Sequence, residues 1–431
     1  MNTRCHGPTE GPRTVLDLDA PHLDHARLRT AGKDLLSLAL IDARNQTLRW
    51  AAALEAARDG QALVLPGDLG PLPAGELDPP LWTFGHIAWF QEHWIARNVQ
   101  RARGEAADPT YPRLASILPH ADRWYDPALV PRPRRRALAA GDLPDLQETR
   151  QYLVETLETT LELLAAVKEE SDDALYFHRL ALFHEEMHFE AFAVLAQTLG
   201  IDTLRIVRPT TQAARPPLLF PATRWLLGAG APGFRFDDQR EPHPVDIPEF
   251  EIDAQAVTWG QFGEFVEDGG YDEREHWSPA GWAWVEREGR RTPRHVDQMR
   301  HGVLQRRFGQ LARVPLNQPV AHVCSYEAEA WCRWAGRRLP SEVEWEAAAH
   351  QGATQGMRWG DVWEWTASIF RPYPGYVAGP WRDYSKPAFG RHRVLRGASF
   401  ATRPGLRSAR FRRPAAAESD DGFYGFRSCA P

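Results

Sequence analysis

His184 and His188 lie in the stretch His184-Glu185-Glu186-Met187-His188-Phe189-Glu190. Residues four apart on a helix share a face, with Cβ atoms about 5–6 Å apart. Two imidazoles so placed can converge on one metal ion. Glu190, two residues past His188, falls on nearly the opposite face and is not expected at the same ion. A third ligand must come from another element. His86 sits in Trp82-Thr83-Phe84-Gly85-His86-Ile87-Ala88-Trp89-Phe90, where Gly85 permits close approach of a neighbouring helix. His93 is seven residues on, about 10 Å along the axis, and cannot serve the ion that His86 serves. A His pair at this spacing is also common as hydrogen-bonded or surface imidazole. The third His on a second apolar helix keeps the metal reading open beside that one. Imidazole suits zinc, iron, nickel or copper and does not choose among them. Three neutral ligands leave open positions for substrate and, if the metal is iron, for O2.

The elements that must position these residues are helical. Leu35, Leu38, Ile41, Leu48, Ala52 and Leu54 approximate one apolar stripe. Gly60 to Pro80, with five Pro and four Gly, reads as a loop. A second helix is expected from about Pro80 through Arg101, and a third from Leu146 to Glu169 with Leu153, Leu157, Leu161 and Leu164 on one side. Ser171 is a suitable N-cap for a fourth, Asp172 and Asp173 suit its positive end, and Gly200 suits its stop. Between the second and third helices, Asp108 to Pro144 is broken by Pro and Arg and should be a long excursion. Four helices with one long crossover imply a four-helix bundle.

Composition changes after Arg205. Pro209, Pro216, Pro217 and Pro221 mark a linker, and 12 of the 17 Trp follow it. Short apolar runs and dense Gly and Pro imply an irregular α+β domain, helical only at Tyr326 to Gly336 and Ser341 to His350. The expected division is a flexible segment at 1–30, a bundle at 31–205, a linker at 206–222 and the second domain at 223–431.

The 431 residues carry 51 basic and 57 acidic side chains, a net charge of −6, which gives no global attraction to nucleic acid or an anionic membrane. No run nears the ~18 apolar residues of a membrane span, and Met1 to Lys33 holds no apolar signal core. Four scattered Cys cannot form a disulfide framework. A cytoplasmic protein with no nucleic-acid or membrane partner is expected.

The second half carries Ala330-Trp331-Cys332-Arg333-Trp334-Ala335-Gly336-Arg337-Arg338-Leu339-Pro340-Ser341-Glu342, then Val343-Glu344-Trp345-Glu346-Ala347-Ala348. Val362-Trp363-Glu364-Trp365-Thr366, Leu395-Arg396-Gly397-Ala398-Ser399-Phe400 and Gly425-Phe426-Arg427 follow in order. Together these resemble the formylglycine-generating-enzyme, or sulfatase-modifying-factor, fold (a C-type-lectin-like α+β domain). Trp345, Trp363 and Trp365 are expected to pack it together. Formylglycine chemistry needs reactive cysteines near the C-terminal groove, and Arg407 to Tyr424 holds none. Cys324 and Cys332 are expected to be buried and inert.

The Pro80 to Phe90 phrase and the His184…His188, Glu190 segment resemble a DinB-type metal-binding bundle. A DinB-like bundle joined to this second fold resembles the ergothioneine sulfoxide synthase family, over about residues 31–431. That resemblance implies Fe(II) held by His86, His184 and His188, O2 as cosubstrate, and sulfur transfer to imidazole C2 of hercynine, the trimethylated betaine of histidine. The chain departs from the branch that uses γ-glutamylcysteine. Of the family's two loop arginines, Arg134, Arg135 and Arg136 offer one, while the second falls near Gly141. The C-terminal Arg-Asn-Trp-Asp becomes Arg412-Arg413-Pro414-Ala415. Trp381 and Tyr384 stand where the family has paired tyrosines, and Met187 where it has Gln. A carboxylate-rich donor needs cationic clamps. Their loss resembles the selenoneine synthases, which couple a selenosugar to hercynine. On that reading Tyr384 is the candidate catalytic proton donor. Trp381, Phe423 and Tyr424 are candidate aromatic contacts for the quaternary ammonium, with Met187 and Arg412 as further substrate contacts. Cysteine or γ-glutamylcysteine as donor, a DinB-type zinc thiol transferase and a non-catalytic binding module are the competing readings.

Overall fold

A computed structural model describes residues 24–57, 63, 77–139, 141–202 and 209–431. Cys5 and nearly all of the Gly60 to Pro80 loop lie outside the described residues. So does most of the 1–30 segment; its last part, however, forms α1 (His25–Arg29), with Asp24 accepting from the Arg27 amide and Leu28 fully buried.

Four long helices follow: α2 (Lys33–Ala56), α3 (Pro80–Trp94), α6 (Leu146–Ala165) and α7 (Asp172–Leu199). They pack against one another around an apolar interior. Pro80 starts α3 at a position that needs no backbone donor. This helix ends at Trp94, seven residues before Arg101, and Asn98 then begins a turn by accepting from the Gln100 amide. Helix α6 opens with a capping box between Asp145 and Glu148 and stops at Ala165, short of Glu169. Ser171 Oγ accepts from the Ala174 amide at 3.2 Å to start α7, and Gly200 ends it at φ 69°. The excursion before α6 is itself partly helical, with α4 (Ala121–Tyr125) and α5 (Arg132–Ala139).

The second half is mixed. Two-stranded antiparallel pairs join β1 (Leu218–Phe220) to β4 (Phe250–Ile252) and β2 (Thr223–Leu227) to β3 (His243–Ile247). Strand β1 therefore begins inside the expected linker. A three-stranded antiparallel sheet comprises β5 (Val296–Gln298), β6 (Val303–Arg307) and β7 (Gln310–Val314). The central sheet has the order β10 (Arg412–Ala415), β9 (Arg393–Gly397), β8 (Trp363–Ile369), β11 (Tyr424–Phe426), with only the β8–β11 pair parallel. Helices α10 (Ser325–Trp334) and α11 (Glu342–Gln351) stand where the sequence places them. Two more were missed: α8 (Trp259–Glu267) and α9 (Pro279–Glu288). Their signals were present, a Thr258/Gln261 capping box and a Ser278 cap followed by Pro279.

Trp345, Trp363 and Trp365 are buried and each indole donates, to Glu364, Glu190 and the Val323 carbonyl respectively. Burying the rings while satisfying each N–H knits together a domain with little regular structure.

Candidate metal centre

Helix α7 is buried on nearly all sides, so its charged residues need partners. Glu185 takes a bidentate pair from Arg44 at 2.9 and 3.0 Å, joining α2 to α7. Glu186 faces Arg403 and Gly405, and burial pushes its carboxyl up to about 7. Both carboxylates of the His-Glu-Glu-Met-His stretch thus point away from the imidazoles.

His184 and His188 project to one side, and His86 meets them from α3. One nitrogen from each of the three rings lies within 4.8 Å of the other two. The Nε2 atoms of His184 and His188 are 3.3 Å apart. His86 Nδ1 is 2.9 Å from the Tyr125 carbonyl, so it carries the proton and leaves Nε2 with a lone pair. Gly85 makes this possible, because a Cβ there would stand 2.1 Å from the Tyr125 ring. Burial lowers all three imidazoles, His188 to about 4 and His86 and His184 well below the usual histidine value, and so favours their neutral form. A cluster of neutral imidazoles, one of them with its tautomer fixed, is the state a metal ion requires. His93 is elsewhere, its Nε2 accepting from Arg113 at 3.2 Å.

Aromatic rings wall the cluster. Phe90 stacks on His184 at 3.6 Å and Trp82 on His86 at 4.7 Å. Trp381, from the second half, sets its edge toward His184 at 5.4 Å and Phe90 at 4.9 Å. Tyr384 is 4.9 Å from Trp381 and 4.6 Å from Phe236. Its burial and the nearby Asp238 push its phenol well above the usual value.

A cavity of about 780 Å³ opens beside His188 and is lined also by Met187, Tyr384 and Tyr424. Phe423 is not part of it: that ring packs on Phe400 at 4.4 Å and His322 at 5.3 Å. Tyr424, the first residue of β11, lines the cavity, while Phe423, just before the strand, turns its ring elsewhere. Arg412 is also misplaced as a substrate contact. It is buried in an ion pair with Glu342 at 2.8 Å and lies over Phe370 and Tyr373. Its neighbour Arg413 faces the cavity instead. Arg134 and Arg136 are exposed, and a Cβ on Gly141 would meet nothing within 4 Å among the described residues. Arg132 and Arg135 reach the cavity from α5, with Arg135 pairing Asp78 at 2.6 Å over the Trp82 ring. Three arginines (132, 135 and 413) and three carboxylates (Asp78, Glu190 and Asp383) line the wall, which is charge-balanced.

Cys324, Cys332 and Cys429 are free and buried, and burial pushes each thiol up, Cys429 to about 12. That is the inert state expected of the first two.

Residues 224–359 and 357–430 match the sulfatase-modifying factor enzyme 1-like domain. The hercynine oxygenase of Mycolicibacterium smegmatis is 31% identical over 392 residues, covering 78% of this chain and 87% of that protein. The hercynine oxygenase of Mycolicibacterium thermoresistibile is 30% identical, covering 88% and 90%. The formylglycine-generating enzyme of Streptomyces coelicolor is 27% identical, covering 44% of this chain and 80% of that protein.

Proposed function

The chain belongs to the hercynine oxygenase family, and on that premise we propose that it is an iron- and O2-dependent enzyme joining a selenosugar to imidazole C2 of hercynine. The helical half, through α7, serves as a DinB-like metal bundle, and the second half, from β1 onward, closes over it. The observation that carries the reading is the His86, His184 and His188 cluster beside the charge-balanced cavity.

The residues fit a metal: three neutral nitrogens, one oriented by a backbone carbonyl, and a cavity on the side of His188. Fe(II) bound there would supply the one-electron chemistry by which O2 is reduced. In the overall reaction the C2–H and Se–H bonds break and a C–Se bond forms. O2 takes four electrons, one oxygen ending on selenium and the other in water. The chain's own part is positioning and proton control. The cavity holds both organic substrates against each other. Phe90 and Trp381 keep water from the His184 side. Tyr384, kept protonated by its surroundings, donates a proton or hydrogen bond to the reacting groups. Trp381 and Tyr424 offer aromatic faces to the trimethylammonium, which has no N–H to donate.

The character of the wall supports the choice of donor. With Arg135 neutralised by Asp78, and arginines and carboxylates equal in number, the wall suits a neutral sugar whose hydroxyls meet both kinds of group. One observation favours a carboxylate-bearing thiol instead: Arg132 and Arg135 stand three apart on α5 and both reach the cavity. The test is anaerobic iron loading followed by hercynine and O2 with selenosugar, cysteine and γ-glutamylcysteine in parallel, the products read by mass spectrometry. Selenosugar coupling is expected; reaction with γ-glutamylcysteine alone would reverse the assignment. Full zinc occupancy with turnover in the absence of O2 would place the protein with the zinc thiol transferases.

A further inference from the structure

Helix α3 carries three indoles, and their electrostatic settings differ. Trp82 stacks on His86 at 4.7 Å, carries the Arg135 guanidinium 4.0 Å over its ring, and donates its N–H to the neutral Trp124 carbonyl at 2.7 Å. Trp94 carries the Arg113 guanidinium at 5.0 Å. Trp89 has the opposite setting. It stacks on His86 at 5.6 Å and 21°, and its N–H donates to Asp122 Oδ1 at 2.6 Å. Arg97 pairs with both oxygens of Asp122 at 2.8 Å and, by those hydrogen bonds, holds the carboxyl down to about 2. Asp122 is therefore ionised at any neutral pH.

A cation over an indole opposes removal of an electron from it, whereas a carboxylate on its N–H favours removal. Arg135 and Asp122 each belong to an ion pair, so the member that touches the ring sets the local potential. Trp82 is touched by a guanidinium and Trp89 by a carboxylate. Of the three indoles on α3, Trp89 is thus the one most easily oxidised, and it lies in ring contact with a candidate metal ligand. The Trp89 ring is buried and is not among the residues lining the cavity, so it has no evident part in holding substrate. Its partner Asp122 is 44% exposed, which gives the buried indole a polar connection to solvent.

The chemistry of the centre supplies a use for such a ring. Incomplete reduction of O2 yields peroxide, a two-electron oxidant, while a ferrous ion readily gives one electron. The other must come from the surroundings, and the ligand imidazoles are the groups at risk.

We propose that Trp89, held by Asp122, is a redox-active residue that supplies this second electron when peroxide meets the iron centre with no chalcogen donor bound, sparing the imidazole ligands. In that step the O–O bond of H2O2 breaks. One electron comes from Fe(II), one from the Trp89 indole and two protons from solvent, and two waters form. Fe(III) and an indole radical cation remain, the N–H of the latter still on Asp122. A solvent reductant such as ascorbate returns both electrons. This rests on the iron reading above.

The test needs no substrate and no turnover. Full-length protein loaded with Fe(II) is mixed anaerobically with one equivalent of H2O2 and frozen for electron paramagnetic resonance, with ordinary and with ring-deuterated tryptophan. Peptide mass spectrometry then locates the oxidised residues. Wild type is expected to give a radical signal that deuteration narrows, and oxidation at Trp89. Trp89→Phe should lose that signal and oxidise faster at His86, His184 or His188. Asp122→Asn keeps the stacked ring and should give less radical. The wild-type spectrum and peptide map stand even if a variant fails to fold. Ligand oxidation without oxidation of Trp89, or an undiminished radical in folded Trp89→Phe, would overturn the assignment and leave the functional reading intact. Failure of wild type to bind iron would overturn both.

Discussion

The indole Nε1 of Trp363 donates to Glu190 Oε1 at 2.7 Å, tying strand β8 of the second half to helix α7, two residues beyond His188. Ser399 and Thr402 add hydroxyl donors to the same carboxylate at 2.9 and 2.8 Å. The metal-facing helix is thereby registered against the domain that forms the cavity's other wall. Trp363→Phe keeps most of the buried ring but removes a charge-assisted hydrogen bond. A loss of about 1–3 kcal/mol is expected, read as a lower Tm. Iron content should stay at the wild-type level, because all three imidazoles come from the helical half.

Gly85→Ala tests the support behind His86. The new Cβ would drive into the Tyr125 ring, and the Tyr125 carbonyl is the partner of His86 Nδ1. Loss of such an outer partner costs about 10–100-fold in metal affinity. A competition titration with a chelator should show that drop, while far-ultraviolet circular dichroism stays helical.

His188→Ala removes one of three donors and opens a buried space. Metal analysis after loading with iron is expected to show near-complete loss. In wild type, added iron should raise Tm in proportion to its logarithm above saturation, since the ion binds only the folded cluster. A His188→Ala protein with wild-type iron content would refute the three-imidazole centre.

Acid should destabilise the metal-free protein between pH 6.5 and 4. His178 on α7 is almost fully buried, and burial lowers it from 6.5 to about 4. The unfolded chain then binds the proton more readily than the folded one, so stability is complete above pH 6.5 and falls as pH drops toward 4. For this one group the loss is on the order of 3 kcal/mol. Tm measured against pH should fall across that window, with a shallower slope in His178→Phe.

Thiol reagents should find nothing in the folded second half. In a Cys5→Ser background, Cys324, Cys332 and Cys429 are expected to remain unlabelled until denaturant is added. Mass spectrometry of the intact protein gives the count. Rapid native labelling of Cys324 or Cys332 would reopen a cysteine-based chemistry.

Local geometry was readable directly. The four-residue spacing of His184 and His188, the Ser171 and Gly200 caps, and the apolar setting of His86 are properties of a single helical period, which the residue pattern encodes. The same logic reached α10 and α11 and overlooked α8 and α9, although their caps were legible. It overextended α3 to Arg101, because the turn at Asn98 carries no Pro or Gly to announce it.

Contacts across the two halves were not readable. Glu190 and Trp363 are separated by 173 positions, and nothing local to either marks the other as its partner. From the helical face alone Glu190 was merely a carboxylate turned away from the metal; packing made it a tether. The adjacent arginines 412 and 413 have the same chemistry in sequence. Only the register of β10 against β9 sends one into an ion pair with Glu342 and the other to the cavity. Phe423 and Tyr424 divide in the same way. The sequence determined which side chains could ligate a metal, because that depends on residue type and one helical turn. The tertiary structure decided which side chains line the cavity, because that depends on which face of a strand the packing of the two halves buries.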